Sequence, residues 1–175
     1  MDWKKNPVRI LALDLGTRTG WAFSDGKRIE SGVQVFDLQR GESPGMRFIA
    51  FMRWLDKMFE MTAFGLCAFE QSHHRGGYAT HLGENLVGRV EEFCAQMKIE
   101  HASVHSATLK KWITGKGNAD KSALMIEANH RFPDRNVTDQ DEADALCVLA
   151  WAMDKYDPEV GTKPAAPLAA YKGSC

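Results

Sequence analysis

Two apolar runs in this 175-residue sequence each end in an acid. Asp14 closes "VRILALD" and Glu70 closes "FGLCAFE". An ionised carboxylate at the end of a core strand is costly unless something pairs with it. If the two strands are parallel neighbours, their backbones lie about 4.8 Å apart. Both side chains then leave the carboxyl edge of the sheet, where α/β proteins usually bind ligands. A third element, "DQDEADALCVLAWAM", carries Asp141 and Asp144 three residues apart, on one face of a helix. The rest of that helix (Ala145, Leu146, Val148, Leu149 and Ala152) is apolar and must pack on the sheet. Packing there brings its first turns to the edge that carries Asp14 and Glu70. Four carboxylates in one place repel one another strongly without a cation. Mg²⁺ suits them, because it prefers oxygen ligands and keeps some of its waters. Two such ions about 4 Å apart would activate a water and stabilise the leaving oxygen of a phosphodiester. No thiolate ligands accompany the acids, so zinc is not indicated.

Each acid taken alone has a plainer role. Asp14 could cap a turn at Gly16, Glu70 could be a surface acid, and Asp141 could favour its helix N-terminus electrostatically. The combination is what points to metal-dependent chemistry. His73 and His74 lie just after Glu70 in "QSHHRGG". They are either ligands or a proton shuttle, or simply polar loop residues. The segment "LKKWITGKGNADKSALM" places Lys110, Lys111, Lys116 and Lys121 around two glycines. It fails as a nucleotide phosphate loop, because Asp120 stands before Lys121 where glycine is required. It suits contacts to a nucleic-acid backbone, which position a substrate without reading its sequence. On charge alone, a solvated basic loop is the simpler reading.

The elements that must position these residues follow from periodicity. Residues 8–14, 20–24 and 28–36 read as strands, with Asp25-Gly26 as a hairpin turn, giving an antiparallel meander. Residues 46–61 read as a helix burying Phe48, Met52, Leu55 and Phe59. A strand at residues 64–70 leads to a second helical stripe of Leu82, Leu86, Val90, Phe93 and Met97. That stripe is either core or the interface of a dimer. Residues 99–105 read as a strand, 108–118 as a loop with at most one helical turn, and 119–132 as a helix. Thr138 is the expected N-cap of a last helix over residues 139–156. The order predicts an α/β fold: a five-stranded mixed sheet flanked by helices on both faces. Residues 1–156 form one domain, and the tail 157–175, with Pro158, Pro164 and Pro167, is expected to be extended or mobile.

Composition narrows the function classes. The chain is 44% hydrophobic and 26% charged, as a globular protein should be. Its net charge of −1 argues against nucleic-acid binding through bulk positive charge, leaving only a local basic patch. The four cysteines, Cys67, Cys94, Cys147 and Cys175, form no C-x-x-C pair, so neither a zinc site nor a disulfide framework is indicated. No apolar run reaches membrane-span length. No signal-like apolar stretch follows the lysines of "MDWKKNPVRI", which predicts a cytoplasmic location without a membrane partner.

With these residues in view, the chain resembles the RuvC-type Holliday-junction resolvases, endonucleases of the ribonuclease H-like fold. "ALDLGTRTGWAF" resembles the first-strand motif, with Asp14 as its metal-binding acid. "LCAFEQ" resembles the second motif, with Glu70 in the catalytic position. "LKKWITGKGNADK" resembles the lysine-containing loop, with Lys110 and Lys121 at the basic positions. "DEADALCVLAWA" resembles the final helix, with Asp141 and Asp144 as the last acids. The motifs keep their order across residues 10–152, and related proteins occur in phages and prophages. The resemblance implies a homodimer that makes paired nicks in a four-way DNA junction, using Mg²⁺ (Mn²⁺ can substitute) with two ions per site. Its catalytic and metal-binding residues would be Asp14, Glu70, Asp141 and Asp144. DNA would be contacted by Lys110, Lys111, Lys116, Lys121, Arg75, His73 and His74. Family members often carry an aromatic residue shortly after the catalytic glutamate; here that segment holds the two histidines.

Other functions fit less well. "DLGT" also resembles the first phosphate motif of actin-like ATPases and sugar kinases, but those need a second glycine-rich phosphate motif and a second domain copy. A nuclease of RNA–DNA hybrids or other branched DNA would use the same acids and stays open. A non-catalytic DNA binder would have no need of the complete acid set.

Overall fold

A computed structural model describes residues 7–71 and 77–156. Its five strands are β1 (Ile10–Asp14), β2 (Arg18–Ser24), β3 (Ile29–Val35), β4 (Leu66–Glu70) and β5 (Glu100–Val104). Its five helices are α1 (Gly45–Thr62), α2 (Tyr78–Met97), α3 (Ser106–Thr114), α4 (Lys121–Arg131) and α5 (Gln140–Tyr156). They build one mixed sheet in the order β3-β2-β1-β4-β5. The meander β1-β2-β3 is antiparallel, and β1, β4 and β5 run parallel.

Strand alternation divides the interior into two cores. Leu11 and Leu13 of β1, with Cys67 and Phe69 of β4, face α1 and α2. Ile10 and Ala12, with Leu66 and Ala68, face α3, α4 and α5. The α1–α2 side is filled by bulky residues, among them Phe51, Leu55, Phe64, Leu86 and Phe93. The sheet surface under α5 is lined instead by Ala12, Ala22 and Ala68, with Ala143, Ala145 and Ala152 on the helix itself. Small side chains let a helix approach closely, and at one point the approach is complete. A Cβ built on Gly20 would stand 1.8 Å from the Asp141 carbonyl oxygen. Gly20 pairs with Asp14 across β1 and β2. The first turn of α5 therefore lies directly over the strand end that carries Asp14.

Hydrogen bonds secure that turn. The Asp139 carboxylate accepts from the Asp141 amide at 2.9 Å and from the Glu142 amide at 3.4 Å, capping α5. Arg18 donates to Asp139 at 2.6 Å and to Asp141 at 2.9 Å. Ser31 donates to Glu142 at 2.6 Å and accepts from Arg135 at 3.0 Å.

Several sequence expectations are corrected. Asp139, not Thr138, caps the last helix. The core stripe of α1 is Phe51, Leu55 and Met58, while Phe48, Met52 and Phe59 are only partly buried, so the helix is rotated from the expected face. Residues 106–114 form a helix where a loop was expected. Leu109 and Ile113 are fully buried on its inner face, and Gly115 ends it with φ +80°. The stripe on α2 is core: Leu82, Leu86, Val90 and Phe93 pack within this chain, while Met97 is exposed. The expected tail, residues 157–175, lies outside the described residues.

Gly20→Ala should therefore be far more disruptive than a surface glycine change, because the clash is with backbone and no rotamer relieves it. A loss of about 2 kcal/mol or more in urea unfolding is expected, with Gly65→Ala, exposed, outside the left-handed region and with nothing within 4 Å of its added Cβ, as the contrasting variant.

Candidate active site

Asp14 and Glu70 are the last residues of parallel neighbouring strands. Both share the parity of Ala12 and Ala68, so both side chains leave the sheet on its α5 side. Asp144 comes from the second turn of α5 to meet them. The three acids line one cleft of about 490 Å³ at the carboxyl edge of the sheet. Lys110 of α3 and Lys121 of α4 line the same cleft, and its opposite wall includes Thr80, Gly83 and Val87 of α2.

The electrostatics show how crowded the acids are. Burial pushes the Asp14 carboxyl up to about 8, with Asp144, Glu70 and Asp141 adding repulsion in that order and Lys121 opposing it. Asp144 is raised to about 6, again first by burial, with Glu70 and Asp141 adding to it. Gln140 donates to Asp144 at 2.8 Å, and Lys121 stands 3.9 Å from its other oxygen. Both contacts favour the ionised carboxylate.

Asp141 contributes charge to the cluster but does not line the cleft, because its carboxylate is engaged by Arg18. Lys111 and Lys116 are exposed and lie off the cleft walls. His73, His74 and Arg75 lie outside the described residues. The donor set of Asp14, Glu70 and Asp144 is entirely carboxylate and fits a hard, oxygen-preferring cation. Among the described residues, no three His, Cys, Asp or Glu side chains are already gathered closely enough to constitute a metal site.

Three contributors were not singled out from sequence. Gly20 sets the height of α5, and a glycine inside a strand pattern was the available signal. Arg18 is the cation of the first motif, but its partners lie more than 120 residues away. Ser106 lines the cleft two residues beyond Val104, the pairing partner of Glu70.

No protein-family model matches the chain, and no curated protein matches it. Among solved structures it is similar to Thermus thermophilus RuvC, with a TM-score of 0.69 over 90% of this chain and 99% of that one. The fold is that of RuvC. Sequence identity in that match is 17%. A structure of T. thermophilus RuvC in complex with Holliday junction substrate matches with a TM-score of 0.64 at 16% identity, covering 81% of this chain and 90% of that one. The ribonuclease H-like architecture expected from the sequence is thus borne out, and the RuvC resemblance holds at the level of fold. Among the described residues, no helix is long and apolar enough to cross a membrane.

The raised Asp14 and Asp144 values have a consequence for stability. A carboxyl whose folded value exceeds its unfolded one favours the fold while protonated, and that contribution is lost as pH rises through the folded value. Without divalent cation, the protein should lose thermal stability between about pH 4 and 8. Asp14→Asn should flatten that loss and raise the melting temperature at pH 8, as read by calorimetry across the range.

Proposed function

We propose that this chain is a divalent-cation-dependent endonuclease that resolves four-way DNA junctions by paired nicks. The observation that carries the reading is the convergence of Asp14, Glu70 and Asp144 at the carboxyl edge of a RuvC-like sheet, beneath Lys110 and Lys121. One RuvC structure of this fold is a complex with a Holliday junction substrate, which supports the same substrate here.

In this reading Asp14, Glu70 and Asp144 hold the cations, Mg²⁺ by preference, and Asp141 adds a fourth carboxylate from the rim. When bound, the cations supply an activated water and charge stabilisation at the leaving oxygen. The chain's own residues set the geometry. The two strand ends fix Asp14 and Glu70, and α5 brings Asp144 over them. Lys110 and Lys121 face the same cleft and offset the charge of an incoming phosphate. Lys111 and Lys116, exposed beside them, extend the basic surface along the DNA backbone. Two opposed nicks need two equivalent sites, which a twofold homodimer provides for a substrate of matching pseudo-symmetry.

The test incubates the protein with a synthetic four-way junction, a linear duplex and an RNA–DNA hybrid, with and without Mg²⁺. Symmetric Mg²⁺-dependent nicks confined to the junction are expected, and preferential cutting of the hybrid would overturn the junction reading. Asp14→Asn should abolish cutting while preserving junction binding. Lys121→Ala should weaken binding and flatten its dependence on salt, since each phosphate contact contributes about 0.9 to the log–log slope on duplex DNA.

A further inference from the structure

The cleft has a second chemical feature beside the cluster of acids. β5 passes into α3 through a single residue, His105, so α3 starts beside the strand end of Glu70. The first intrahelical bond of α3 runs from the Leu109 amide to the His105 carbonyl at 2.9 Å. The amides of Ser106, Ala107 and Thr108 precede it, and no side chain caps them. Ser106 is 6% exposed, lines the cleft, and its hydroxyl has no hydrogen-bond partner among the described residues. The hydroxyl oxygen itself is not among the sealed, unpartnered polar atoms of the described residues, so it stays open to a ligand in the cleft. Lys110 lies one turn further along the same helix face and lines the same cleft. Hydroxyl, free amides, helix dipole and lysine all select an anion.

We propose that the N-terminus of α3 is a subsite for a second, uncut phosphate of the DNA backbone, bound by the Ser106 hydroxyl and the first-turn amides with Lys110 as counter-charge. The identity of the ligand rests on the nuclease reading above. Asp14, Glu70 and Asp144 border the same cleft. They repel an anion, so the uncut phosphate sits on the α3 side and the acids are left to the phosphate being cut. Holding a neighbouring phosphate fixes the register of the strand against the acids, so Ser106 is a substrate-binding residue with a positioning effect on the chemistry.

Two measurements test this separately from cutting. In the first, inorganic phosphate is titrated into the EDTA-treated protein and amide shifts are followed by NMR. Saturable shifts at residues 106–108 are expected in the wild type and reduced ones in Ser106→Ala. In the second, junctions carrying one neutral methylphosphonate, stepped along the cut strand, are bound in EDTA. One position away from the cut should weaken wild-type binding by about tenfold, as expected for a lost charge-assisted hydrogen bond. Ser106→Ala should bind the unmodified junction correspondingly more weakly and lose sensitivity at that position. Ser106→Pro, which suits the first helical position but removes both hydroxyl and amide, should show the same loss with an unchanged melting temperature. A wild type that nicks junctions but shows no phosphate-dependent shifts at 106–108, with Ser106→Ala equally sensitive to every methylphosphonate, overturns the subsite and leaves the nuclease reading intact. Phosphate-dependent shifts in a protein that neither binds nor nicks junctions support the anion subsite and overturn the nuclease reading.

Discussion

The site depends on how closely α5 can approach the sheet. Helices normally ride on side chains, and the height they ride at sets where their own residues reach. Over Gly20 there is no side chain, and the Asp141 carbonyl occupies the space a Cβ would need. The alanines of the sheet and helix continue that close contact further along α5. Asp is a short residue. From an ordinary helix-on-sheet distance, Asp144 would not share a cleft with the ends of β1 and β4. The bulky aromatic core on the opposite face carries no such requirement, and there the helices sit over large side chains.

The approach also creates the electrostatic tension of the site. Asp14, Glu70 and Asp144 share a partly buried cleft, and burial and the neighbouring carboxylates together raise Asp14 more than Asp144. Lys121 relieves some of this from an exposed position. Arg18 answers the charge at the rim through Asp139 and Asp141, one of which is also the cap of α5. Being exposed, this clamp is worth little as an ion pair in water. Its value is geometric, since it ties the first turn of α5 to the start of β2. Crowded acids of this kind are costly to a fold and useful to a binding site for cations.

Much of this was legible in the sequence because strand-end acids and an i, i+3 pair on an apolar helix are local patterns. The parallel pairing of β1 with β4 and the arrival of Asp144 at Asp14 and Glu70 followed from them. What was not legible depends on tertiary context. Thr, Trp and Ile in residues 108–114 gave little helical signal, and α3 forms because Leu109 and Ile113 are buried against α4 and α5. The rotation of α1 was missed because "FIAFMRWLDKMFEM" is apolar on more than one face. Asp139 and Thr138 are both good caps by type; Asp139 takes the role through its bonds to the Asp141 and Glu142 amides, while Arg18, 121 residues away, holds its other oxygen. Gly20 looked like an ordinary strand residue until its opposite neighbour was known.

The shared parity of Asp14 and Glu70 has a further consequence. Both face α5 only while Ala12 stands beside Ala68 and Leu13 beside Phe69. A one-residue slip of β4 along β1 would turn every β4 side chain over. Glu70 would then point into the aromatic core, and Phe69 would point toward the cleft. A misregistered chain cannot assemble the acids in one cleft, so it would lack the proposed cutting chemistry rather than redirect it. For a protein proposed to nick DNA junctions, correct strand pairing would serve as the safety catch.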